Sequence, residues 1–579
     1  MEALKLSWKD TMELWQNYDE LDPKLKGELA ELSQDPEAAE EAFYAPMEFG
    51  TAGMRGVMGP GINRMNIYTV RQATEGLAQF MDTLPQAEQQ QGVAISFDSR
   101  YHSKEFALEA AGVLGEHGIP SFVFDDIRPT PELSYAVREL GTYAGVMITA
   151  SHNPKQYNGY KIYGPDGGQM PPEESDRITG YIRKVTDIFA VKSMTQEKLR
   201  ARGLMSLIGE DVDLKYLSEI KKVSLNHELI KKFGANMKLI YSPLHGTGKV
   251  IGSRALQNAG FTDYTMVPEQ AISDPEFATV PFPNPEFAQA FDLAIELGKK
   301  QDADLLIATD PDADRLGAAV RLPNGEYKLL TGNQIAALML DYVLTAHEQA
   351  GDLPKNAVAV KSIVSSEFAT RIAEGHHAKM IDVLTGFKFI ADQIKNFEET
   401  GEHTFMFGFE ESYGYLVRPF VRDKDAIQGI VLLAEIAAYY QSKGQTLYDG
   451  LQSLFATYGY HEEKTISKDF PGVDGKEKMD AIMNQFRSEH PTAFAGYQVV
   501  NSQDFETSVQ VNKEGKESKI DLPQSNVLKY TLDDGTWIAI RPSGTEPKIK
   551  FYVGTVGESE EDALKKVDLF EDSIDKLVK

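Results

Sequence analysis

The chain has 579 residues, of which 42% are hydrophobic and 25% charged, and its net charge is −28. This length predicts about four domains of ~150 residues each. The acidity argues against binding to nucleic acid or anionic membranes, and the lack of cysteine excludes disulfides, thiolate nucleophiles and cysteine-bound zinc. No signal-peptide pattern is present, and the most apolar stretch, residues 430–440, is too short for a membrane span and carries Glu435. We therefore expect a cytoplasmic protein.

The N-terminal stretch MEALKLSWKDTMELWQ has the spacing of an amphipathic helix. It opens a first block in which strands alternate with helices, a pattern that predicts parallel sheets covered by helices. The predicted elements of this block are the strand 92–98, the helix 105–118, the strand 121–126, the helix 129–140 and the strand 145–149.

The last of these strands leads into the loop TASHNP (149–154). Neighbours on a strand point to opposite faces, so Ser151 and His152 would make a poor catalytic pair there. Asn153 and Pro154 favour a loop instead, in which both side chains can turn toward one pocket. An ordinary turn with a polar tip is the alternative.

Two further blocks repeat the alternation of strands and helices, and polar loops again follow the strands directly. The second block begins with the strand and glycine-rich loop KLIYSPLHGTG (238–248) and ends at DPDADR (310–315). The third begins at AVAVKSIVSS (357–366) and contains TGFK (385–388) and GFEESYG (408–414).

In DPDADR, the residues Asp310, Asp312 and Asp314 place carboxylates at alternate positions, and hard divalent cations prefer several oxygen ligands. An EF-hand is excluded, because its glycine and glutamate positions hold Arg315 and Arg321. Two alternatives stay open. One is a solvated acidic turn, and the other is a phosphatase in which Asp310 is the nucleophile.

The two loops of the third block offer groups that bind polar ligands. Glu410, Glu411 and Ser412 lie between glycines and could hold sugar hydroxyls, although an acidic surface loop has the same composition. Lys388 stands beside an aromatic residue, where partial burial would lower its pKa.

The last segment predicts a smaller α+β domain, with an antiparallel ribbon that turns at Asp533-Asp534-Gly535 and a final helix. The apolar stripe of that helix is predicted at Leu564, Val567, Phe570, Ile574 and Leu577. Between two of the strands, RPSGTEPK (541–548) combines hydroxyls, cations and a glycine turn, which suits a phosphate but also an ordinary hairpin. Together the loops indicate phosphoryl transfer on a phosphorylated sugar or polyol.

The motifs FGTAGMRG, TASHNP, DPDADR, TGFK, GFEESYG and RPSGTEP occur in the order found in α-D-phosphohexomutases, and the chain most resembles the long bacterial α-phosphoglucomutases. The resemblance implies an α/β protein with four domains around a central cleft. Three would be related α/β domains with mixed sheets, and the fourth a smaller C-terminal α+β domain. The expected bounds are 1–207, which includes an N-terminal helix, then 208–322, 323–446 and 447–579.

The resemblance also implies roles for individual residues. Ser151 would be the phosphoserine, with His152 beside it, and one Mg²⁺ per chain would be held by Ser151, Asp310, Asp312 and Asp314. Glu410 and Ser412 would bind sugar hydroxyls, and the phosphate that is not reacting would be bound by Arg541, Ser543, Gly544, Thr545 and Lys548. The site would be completed by Arg55, Lys161, Arg315 and Lys388, the last as a candidate acid–base group.

The reaction implied is the interconversion of α-D-glucose 1-phosphate and glucose 6-phosphate, with glucose 1,6-bisphosphate as intermediate and activator. The partners would be small sugar phosphates, and the protein a monomer or homodimer. Phe409 stands where many relatives have glycine, and a bulky ring there would reshape the sugar pocket. A phosphopentomutase or phosphomannomutase with the same mechanism therefore stays open, as do a metal-dependent sugar phosphatase and a non-catalytic phosphosugar-binding protein.

Overall fold

The computed structural model describes residues 7–49, 53–470, 475–543 and 548–578. The chain forms two compact units. Unit 1 is the chain up to Leu329 together with Gly414–Ala438, and unit 2 is Leu330–Tyr413 together with the chain from Tyr439 onward. In the part of the chain that the structure describes, no helix is long and apolar enough to cross a membrane.

The amphipathic helix predicted at the N-terminus is observed as α1 (Trp8–Gln16). Instead of one continuous helix, the region contains two further short helices, α2 (Pro23–Leu32) and α3 (Pro36–Phe43). Each proline opens a new helix behind an aspartate cap, because proline fits the first turn but cannot continue a helix. Trp15 is buried and packs edge-on against the rings of Phe43, Tyr68 and Phe189. The N-terminal helices are therefore part of the core of unit 1.

The first sheet of unit 1 has the strand order β1-β5-β4-β2-β3-β6. Its strands β4, β2, β3 and β6 are parallel, whereas β1 and β5 are antiparallel to their neighbours. Both β2 and β4 are buried at every position, which is why they appear in the sequence as continuous apolar runs. The elements are β1 (Met54–Val57), α4 (Ile67–Met81), α5 (Gln86–Gln89), β2 (Val93–Phe97), α6 (Ser103–Glu116), β3 (Ser121–Phe124), α7 (Thr130–Leu140), β4 (Ala144–Ile148), β5 (Tyr157–Tyr163), α8 (Pro172–Ile182), α9 (Gln196–Ala201) and β6 (Met205–Ile208).

The second sheet of unit 1 has the order β11-β10-β9-β7-β8. It is also mixed. The strand β7 is parallel to β8 and β9, whereas β10 is antiparallel to both of its neighbours, β9 and β11. The loop DPDADR thus joins two antiparallel, buried strands. The elements are α10 (Glu210–Ile220), α11 (His227–Phe233), β7 (Leu239–Ser242), α12 (Gly248–Ala259), β8 (Tyr264–Met266), α13 (Asp292–Gln301), β9 (Leu305–Thr309), β10 (Leu316–Arg321) and β11 (Tyr327–Leu329).

The next part of the chain contributes parallel strands in the order β13-β12-β14, with helices beside them. The elements are α14 (Gly332–Ala350), β12 (Ala357–Ser362), α15 (Glu367–Gly375), β13 (Lys379–Val383), α16 (Phe387–Thr400), β14 (Thr404–Glu410), β15 (Gly414–Leu416), α17 (Ala426–Ser442) and α18 (Leu447–Tyr458). Of these, β15 and the first part of α17 belong to unit 1.

The C-terminal part of unit 2 is an antiparallel sheet in the order β16-β23-β22-β21-β18-β19-β20, with β17 paired to β18. It shares a hydrophobic cluster with the preceding domain, in which Ile363 and Leu384 pack with Trp537 and Tyr552. The elements are β16 (Tyr460–Asp469), α19 (Gly475–Glu489), β17 (Ala493–Phe494), β18 (Tyr497–Asp504), β19 (Val509–Asn512), β20 (Glu517–Lys519), β21 (Leu528–Leu532), β22 (Trp537–Pro542), β23 (Lys548–Gly557) and α20 (Glu560–Leu577). The predicted fold class of three α/β domains and a final α+β domain is confirmed.

The predicted stripe of the final helix is wrong at both ends. Val567, Phe570 and Ile574 are buried, but Leu564 is 47% exposed and Leu577 is 42% exposed. With about 3.6 residues per turn, Leu564 falls well to the side of the buried face, where Ala563 takes its place. Leu577 is the last residue of the helix and lies outside the hydrophobic cluster, whereas Ile574 and Val578 pack in it or against it.

Candidate active site

Ser151 lies in the loop after β4 and is almost completely buried, at 2% exposure. Its backbone is in the left-handed region at φ +52°, and its N–H donates to Thr149 Oγ1 at 2.8 Å. This conformation directs Ser151 Oγ to Asp310 Oδ2, at 2.7 Å, while His152 Nδ1 lies 3.2 Å from the same hydroxyl. A non-glycine residue held in this region is a strained feature of the kind found at functional sites.

The serine loop is held in place from behind by Arg100, whose side chain is fully buried. Its guanidinium donates four hydrogen bonds, to the carbonyl oxygens of Ser151 (2.6 Å), Asn153 (2.5 Å), Pro154 (2.8 Å) and Tyr157 (3.1 Å). The carboxylate of Asp98 neutralises the positive charge of Arg100, with Oδ2 3.2 Å from Arg100 Nε. The same oxygen accepts a hydrogen bond from Thr149 Oγ1 at 2.7 Å. No role was predicted for Asp98 or Arg100, although both lie within three residues of the end of the strand β2.

Asp310, Asp312 and Asp314 converge, with one carboxylate oxygen of each within 4.8 Å of the others, and all three are buried. Asp312 Oδ2 accepts hydrogen bonds from Thr130 Oγ1 at 2.8 Å and from Lys161 Nζ at 3.1 Å. Among the described residues, Asp312 Oδ1 and Asp314 Oδ1 are buried oxygens without a hydrogen-bond donor. Buried carboxylate oxygens left in this way are the ligands that a hard divalent cation requires, so the three residues fit a Mg²⁺ ion.

The electrostatics of the three carboxylates point the same way. Burial raises the pKa of Asp310 well above its usual range, and the negative charges of Asp312 and Asp314 raise it further. Burial and the charge of Asp312 also raise the pKa of Asp314. For Asp312, burial is outweighed by the charge of Lys161 and by hydrogen bonds from Asp310, Thr130 and Lys161, so its pKa is lowered. The group therefore resists carrying three negative charges, which a bound cation would relieve.

The glycine-rich loop after β7 supports the metal loop through Pro311. Thr247 donates to the Pro311 carbonyl oxygen from both its N–H (2.8 Å) and its Oγ1 (2.9 Å). A Cβ on Gly246 would lie only 2.3 Å from Pro311 Cα, so this approach requires glycine. The sequence marked this loop as glycine-rich after a strand but gave it no function.

A second support for the metal loop comes from residues 422–426, for which no role was predicted from the sequence. Ala426 N donates to the Ala313 carbonyl oxygen at 3.2 Å, and Lys424 Nζ lies 3.2 Å from Asp314 Oδ2. The only signal in the sequence is the charged run Arg-Asp-Lys-Asp directly before a long apolar helix.

The other predicted site residues of unit 1 are close to these loops. Arg55 Nη1 donates to Asn153 Oδ1 of the serine loop at 2.9 Å. The N–H of Arg315 donates to Asp310 Oδ1 at 3.0 Å, and its Nε lies 3.8 Å from Asp314 Oδ1.

Unit 2 contains the loops predicted to bind the sugar. Glu410 is buried at the end of β14 and accepts from the N–H of Gly386, at 2.7 Å, so the TGFK and GFEESYG loops meet. Lys388 is buried in the first turn of α16, with Nζ 5.2 Å from the centre of the Phe389 ring. Ser412 is half-buried in the loop after β14.

The Phe409 ring does not lie on the Glu410 side of the strand. Side chains alternate along β14, and Phe409 is fully buried against Phe407, with ring centres 5.9 Å apart. The bulky ring therefore fills the core, contrary to the expectation that it would reshape the pocket. The second glutamate, Glu411, accepts hydrogen bonds from Ser362 (3.0 Å) and Ser365 (3.3 Å) and fixes the loop.

The predicted phosphate loop connects β22 with β23. Arg541 and Ser543 are half-buried at its start, and the Ser543 N–H donates to the Lys548 carbonyl oxygen at 2.8 Å. Gly544 and Thr545 lie outside the described residues. Burial raises the pKa of Tyr552, and so do the charges of Glu411 and Glu410, whereas Arg541 donates to its hydroxyl and opposes the shift. Tyr552 thus lies near both the sugar loop and the phosphate loop within unit 2.

Four family models match the chain in order. They are the phosphoglucomutase/phosphomannomutase alpha/beta/alpha domains I (residues 46–188), II (214–324) and III (331–458) and the C-terminal domain (487–570). Among sequence relatives, a phosphoglucomutase of Staphylococcus epidermidis RP62A is 41% identical over 525 residues, which are 90% of this chain and 93% of that protein. A phosphoglucomutase of Staphylococcus aureus USA300 is 39% identical over 528 residues, 91% of this chain and 93% of the relative.

Solved structures share the fold. The open form of the Paramecium phosphoglucomutase parafusin has a TM-score of 0.66 at 17% identity, covering 92% of this chain and 95% of its own. A phosphoglucomutase/phosphomannomutase family protein from Burkholderia thailandensis has a TM-score of 0.63 at 16% identity, covering 91% and 95%. With four family models matching in sequence and relatives at about 40% identity over nine-tenths of its length, the chain belongs to the phosphoglucomutase/phosphomannomutase family.

Proposed function

We propose that the protein is a phosphoglucomutase that interconverts α-D-glucose 1-phosphate and glucose 6-phosphate by way of a phosphoserine at Ser151. The observation that carries this proposal is the 2.7 Å contact of the Ser151 hydroxyl with Asp310, beside two carboxylates with oxygens left for a cation. The name of the relatives at about 40% identity supports glucose as the sugar.

In the first half-reaction, the bond between phosphorus and Ser151 Oγ breaks and a new bond forms to the free hydroxyl of the sugar monophosphate. The hydroxyl proton passes to a base, for which Lys388 is the candidate. The product, glucose 1,6-bisphosphate, turns end for end. The bond between its other phosphorus and the sugar oxygen then breaks, a new bond forms from that phosphorus to Ser151 Oγ, and the sugar oxygen takes the proton back from the base. The left-handed backbone and the Arg100 hydrogen bonds keep Oγ aimed at one place through both half-reactions.

One Mg²⁺ ion would be held by Asp310, Asp312 and Asp314 together with an oxygen of the phosphoserine. When bound, it would supply positive charge that stabilises the transferring phosphoryl group. Asp310 is already oriented by the backbone N–H groups of Asp314 (3.2 Å) and Arg315 (3.0 Å), and Asp312 by Thr130. Orienting these carboxylates beforehand lowers the entropy cost of forming the site.

The remaining proposed roles follow the motifs. Glu410 and Ser412 bind the sugar hydroxyls, and His152, Arg55, Lys161 and Arg315 surround the reacting phosphate. The phosphate that is not reacting is bound by Arg541, Ser543, Gly544, Thr545 and Lys548.

The wider organisation is proposed on the same basis. The chain comprises four domains, at 1–207, 208–322, 323–446 and 447–579. Its ligands are sugar phosphates, and glucose 1,6-bisphosphate is its activator. The protein is a monomer or homodimer located in the cytoplasm.

The test is conversion of α-glucose 1-phosphate to glucose 6-phosphate with Mg²⁺, with and without glucose 1,6-bisphosphate, beside mannose 1-phosphate and ribose 1-phosphate. We expect bisphosphate-stimulated turnover of the glucose ester, and a loss of about 10⁴-fold or more in Ser151→Ala and Asp312→Ala. Ser224→Ala is the matched control, since Ser224 is also buried but lies outside these loops, and it should retain activity.

Each other outcome points to one alternative. Turnover mainly of the mannose or ribose ester would keep the mechanism and change the sugar. Release of inorganic phosphate without isomerisation would indicate a phosphatase, and full mutase activity in Ser151→Ala would refute the phosphoserine. Intact-mass measurement before and after incubation with the bisphosphate reports the phosphoryl group on Ser151 directly.

A further inference from the structure

Lys424 is a buried lysine that the proposed mechanism does not use. Its Nζ lies 3.2 Å from Asp314 Oδ2 and 3.0 Å from Asp423 Oδ1. Asp423 is itself held, since its Oδ2 accepts from Tyr163 Oη at 2.8 Å and Gln169 Nε2 at 2.9 Å. The ammonium group is therefore fixed between a predicted metal ligand and an anchored carboxylate.

The backbone around Lys424 is built to let the side chain reach Asp314. A Cβ on Gly414 would lie 2.1 Å from Lys424 Cδ, so the methylene chain passes directly over a glycine. The same glycine forms a β-bridge with Arg315, next to the metal loop, and Ala426 N binds the Ala313 carbonyl oxygen. The contact between Lys424 and Asp314 is thus supported on both sides by main-chain contacts to the metal loop.

Asp312 and Asp314 share one arrangement. Asp312 presents Oδ2 to Lys161, and Asp314 presents Oδ2 to Lys424, while Oδ1 of each is a buried oxygen with no hydrogen-bond donor among the described residues. Arg315 Nε lies 3.8 Å from Asp314 Oδ1, which is beyond hydrogen-bond distance. Each carboxylate therefore has one oxygen paired with an ammonium group and one oxygen left without a hydrogen-bond donor.

We propose that Lys424 is a built-in counter-ion for the metal loop. An ammonium group has no lone pair and cannot bind a metal, but its charge stabilises Asp314 in the buried loop before a metal arrives. The same charge repels the incoming dication, so Lys424 stabilises the metal-free loop and weakens metal binding. Lys424 is a positioning residue, and its role rests on the metal site proposed above.

Replacing Lys424 by methionine removes the charge and keeps most of the chain length. Loss of orientation at Asp314 would weaken metal binding, whereas loss of a positive charge a few ångströms from a dication would strengthen it. The charge effect is the larger, because Coulomb interactions at this separation exceed the value of one hydrogen bond even at an effective dielectric constant of about 20. We therefore expect Lys424→Met to bind Mg²⁺ about tenfold more tightly than the unmodified protein.

The experiment measures the melting temperature in EDTA and in saturating Mg²⁺, together with Mg²⁺ affinity by calorimetry, for the full chain and for Lys424→Met. The variant should melt at a lower temperature than the unmodified protein in EDTA, and Mg²⁺ should raise its melting temperature by a larger amount. Lys529→Met is the matched control. Lys529 is similarly buried and pairs with Glu367 at 2.9 Å. Both residues belong to unit 2 and neither is a predicted metal ligand, so this variant should lose stability with no change in the Mg²⁺-dependent rise in melting temperature.

The outcomes separate the two proposals. The counter-ion role would be overturned, without affecting the metal site, if Mg²⁺ raised the melting temperature of the unmodified protein and of Lys424→Met equally. Weaker Mg²⁺ binding in the variant would have the same meaning. A variant that stays unfolded in saturating Mg²⁺ would also overturn it. If Mg²⁺ did not raise the melting temperature of the unmodified protein, the metal site would be overturned, and the counter-ion role with it.

Discussion

Arg100 offers the sharpest test of how the serine loop is held. Its guanidinium uses both terminal nitrogens to bind four loop carbonyl oxygens, and it pairs with buried Asp98. In Arg100→Met these carbonyl oxygens lose their donor and Asp98 loses its counter-charge. Removing one partner of a buried ion pair costs about 3–5 kcal/mol, so we expect a loss of that size in the free energy of unfolding.

Arg100→Lys separates the charge from the geometry. Lysine restores a positive charge for Asp98, but one ammonium group cannot reproduce the two-nitrogen fork that spans the carbonyl oxygens of Ser151 and Tyr157. Its stability should lie between those of the unmodified protein and Arg100→Met. A displacement of Ser151 by about 1 Å costs on the order of 10²-fold in turnover, so we expect kcat to fall by about that factor in Arg100→Lys with KM little changed.

Urea denaturation and steady-state kinetics on α-glucose 1-phosphate check both expectations. Arg487→Lys is the matched control, because the guanidinium of Arg487 also makes several contacts, to the carboxylates of Asp504 and Glu506, but belongs to the C-terminal domain. It should lose stability and keep its kcat. Normal kcat in a folded Arg100→Lys protein would refute the argument that these hydrogen bonds aim Ser151.

Two further predictions test other features. In Gly246→Ala, the new Cβ would lie 2.3 Å from the Pro311 backbone and displace the metal loop. We therefore expect the Mg²⁺ affinity, measured by calorimetry, to fall by about tenfold or more. An unchanged affinity would contradict the role of Gly246. Burial raises the pKa of Glu463 to about 7, and the charge of Glu367 raises it as well. Hydrogen bonds from Ser366 and Asn333 and the charge of Lys361 act in the opposite direction but are weaker. Because the folded state binds this proton more tightly than the unfolded state, stability should fall as the pH rises from about 4.5 to 7, by about 2–3 kcal/mol. In Glu463→Gln that part of the pH dependence should vanish in urea denaturation curves, and identical curves for both proteins would contradict the prediction.

The sequence predicted the loops of the site because of where they lie. The strands β4 and β9 are buried throughout and appear as uninterrupted apolar runs, so the residues that follow them, Ser151 and Asp310, stand out. The connection of β22 to β23 was predicted from its hydroxyls, cations and glycine turn instead.

Residues that support the site from elsewhere in the chain could not be predicted in this way. Lys424 reaches Asp314 only because the chain returns to unit 1 after Tyr413, and no local pattern encodes that return. Gly246 is recognisable as part of a glycine-rich loop, but its contact with Pro311 depends on how two strands of the second sheet lie side by side. The three N-terminal helices, in contrast, had visible signals in Pro23 and Pro36.

The discontinuity of unit 1 has a consequence for synthesis on the ribosome. The nascent chain presents the metal loop and its first sheet-forming strands long before Gly414–Ala438 is made, because Leu330–Tyr413 must be added in between. Until then Tyr216 lacks Asp425, its hydrogen-bond acceptor at 2.9 Å, and the N–H of Asn226 lacks Glu435, at 2.7 Å. Unit 1 therefore cannot complete its native contacts while it is the only part translated, and the N-terminal half of the protein has to wait for a segment encoded in the second half of its gene.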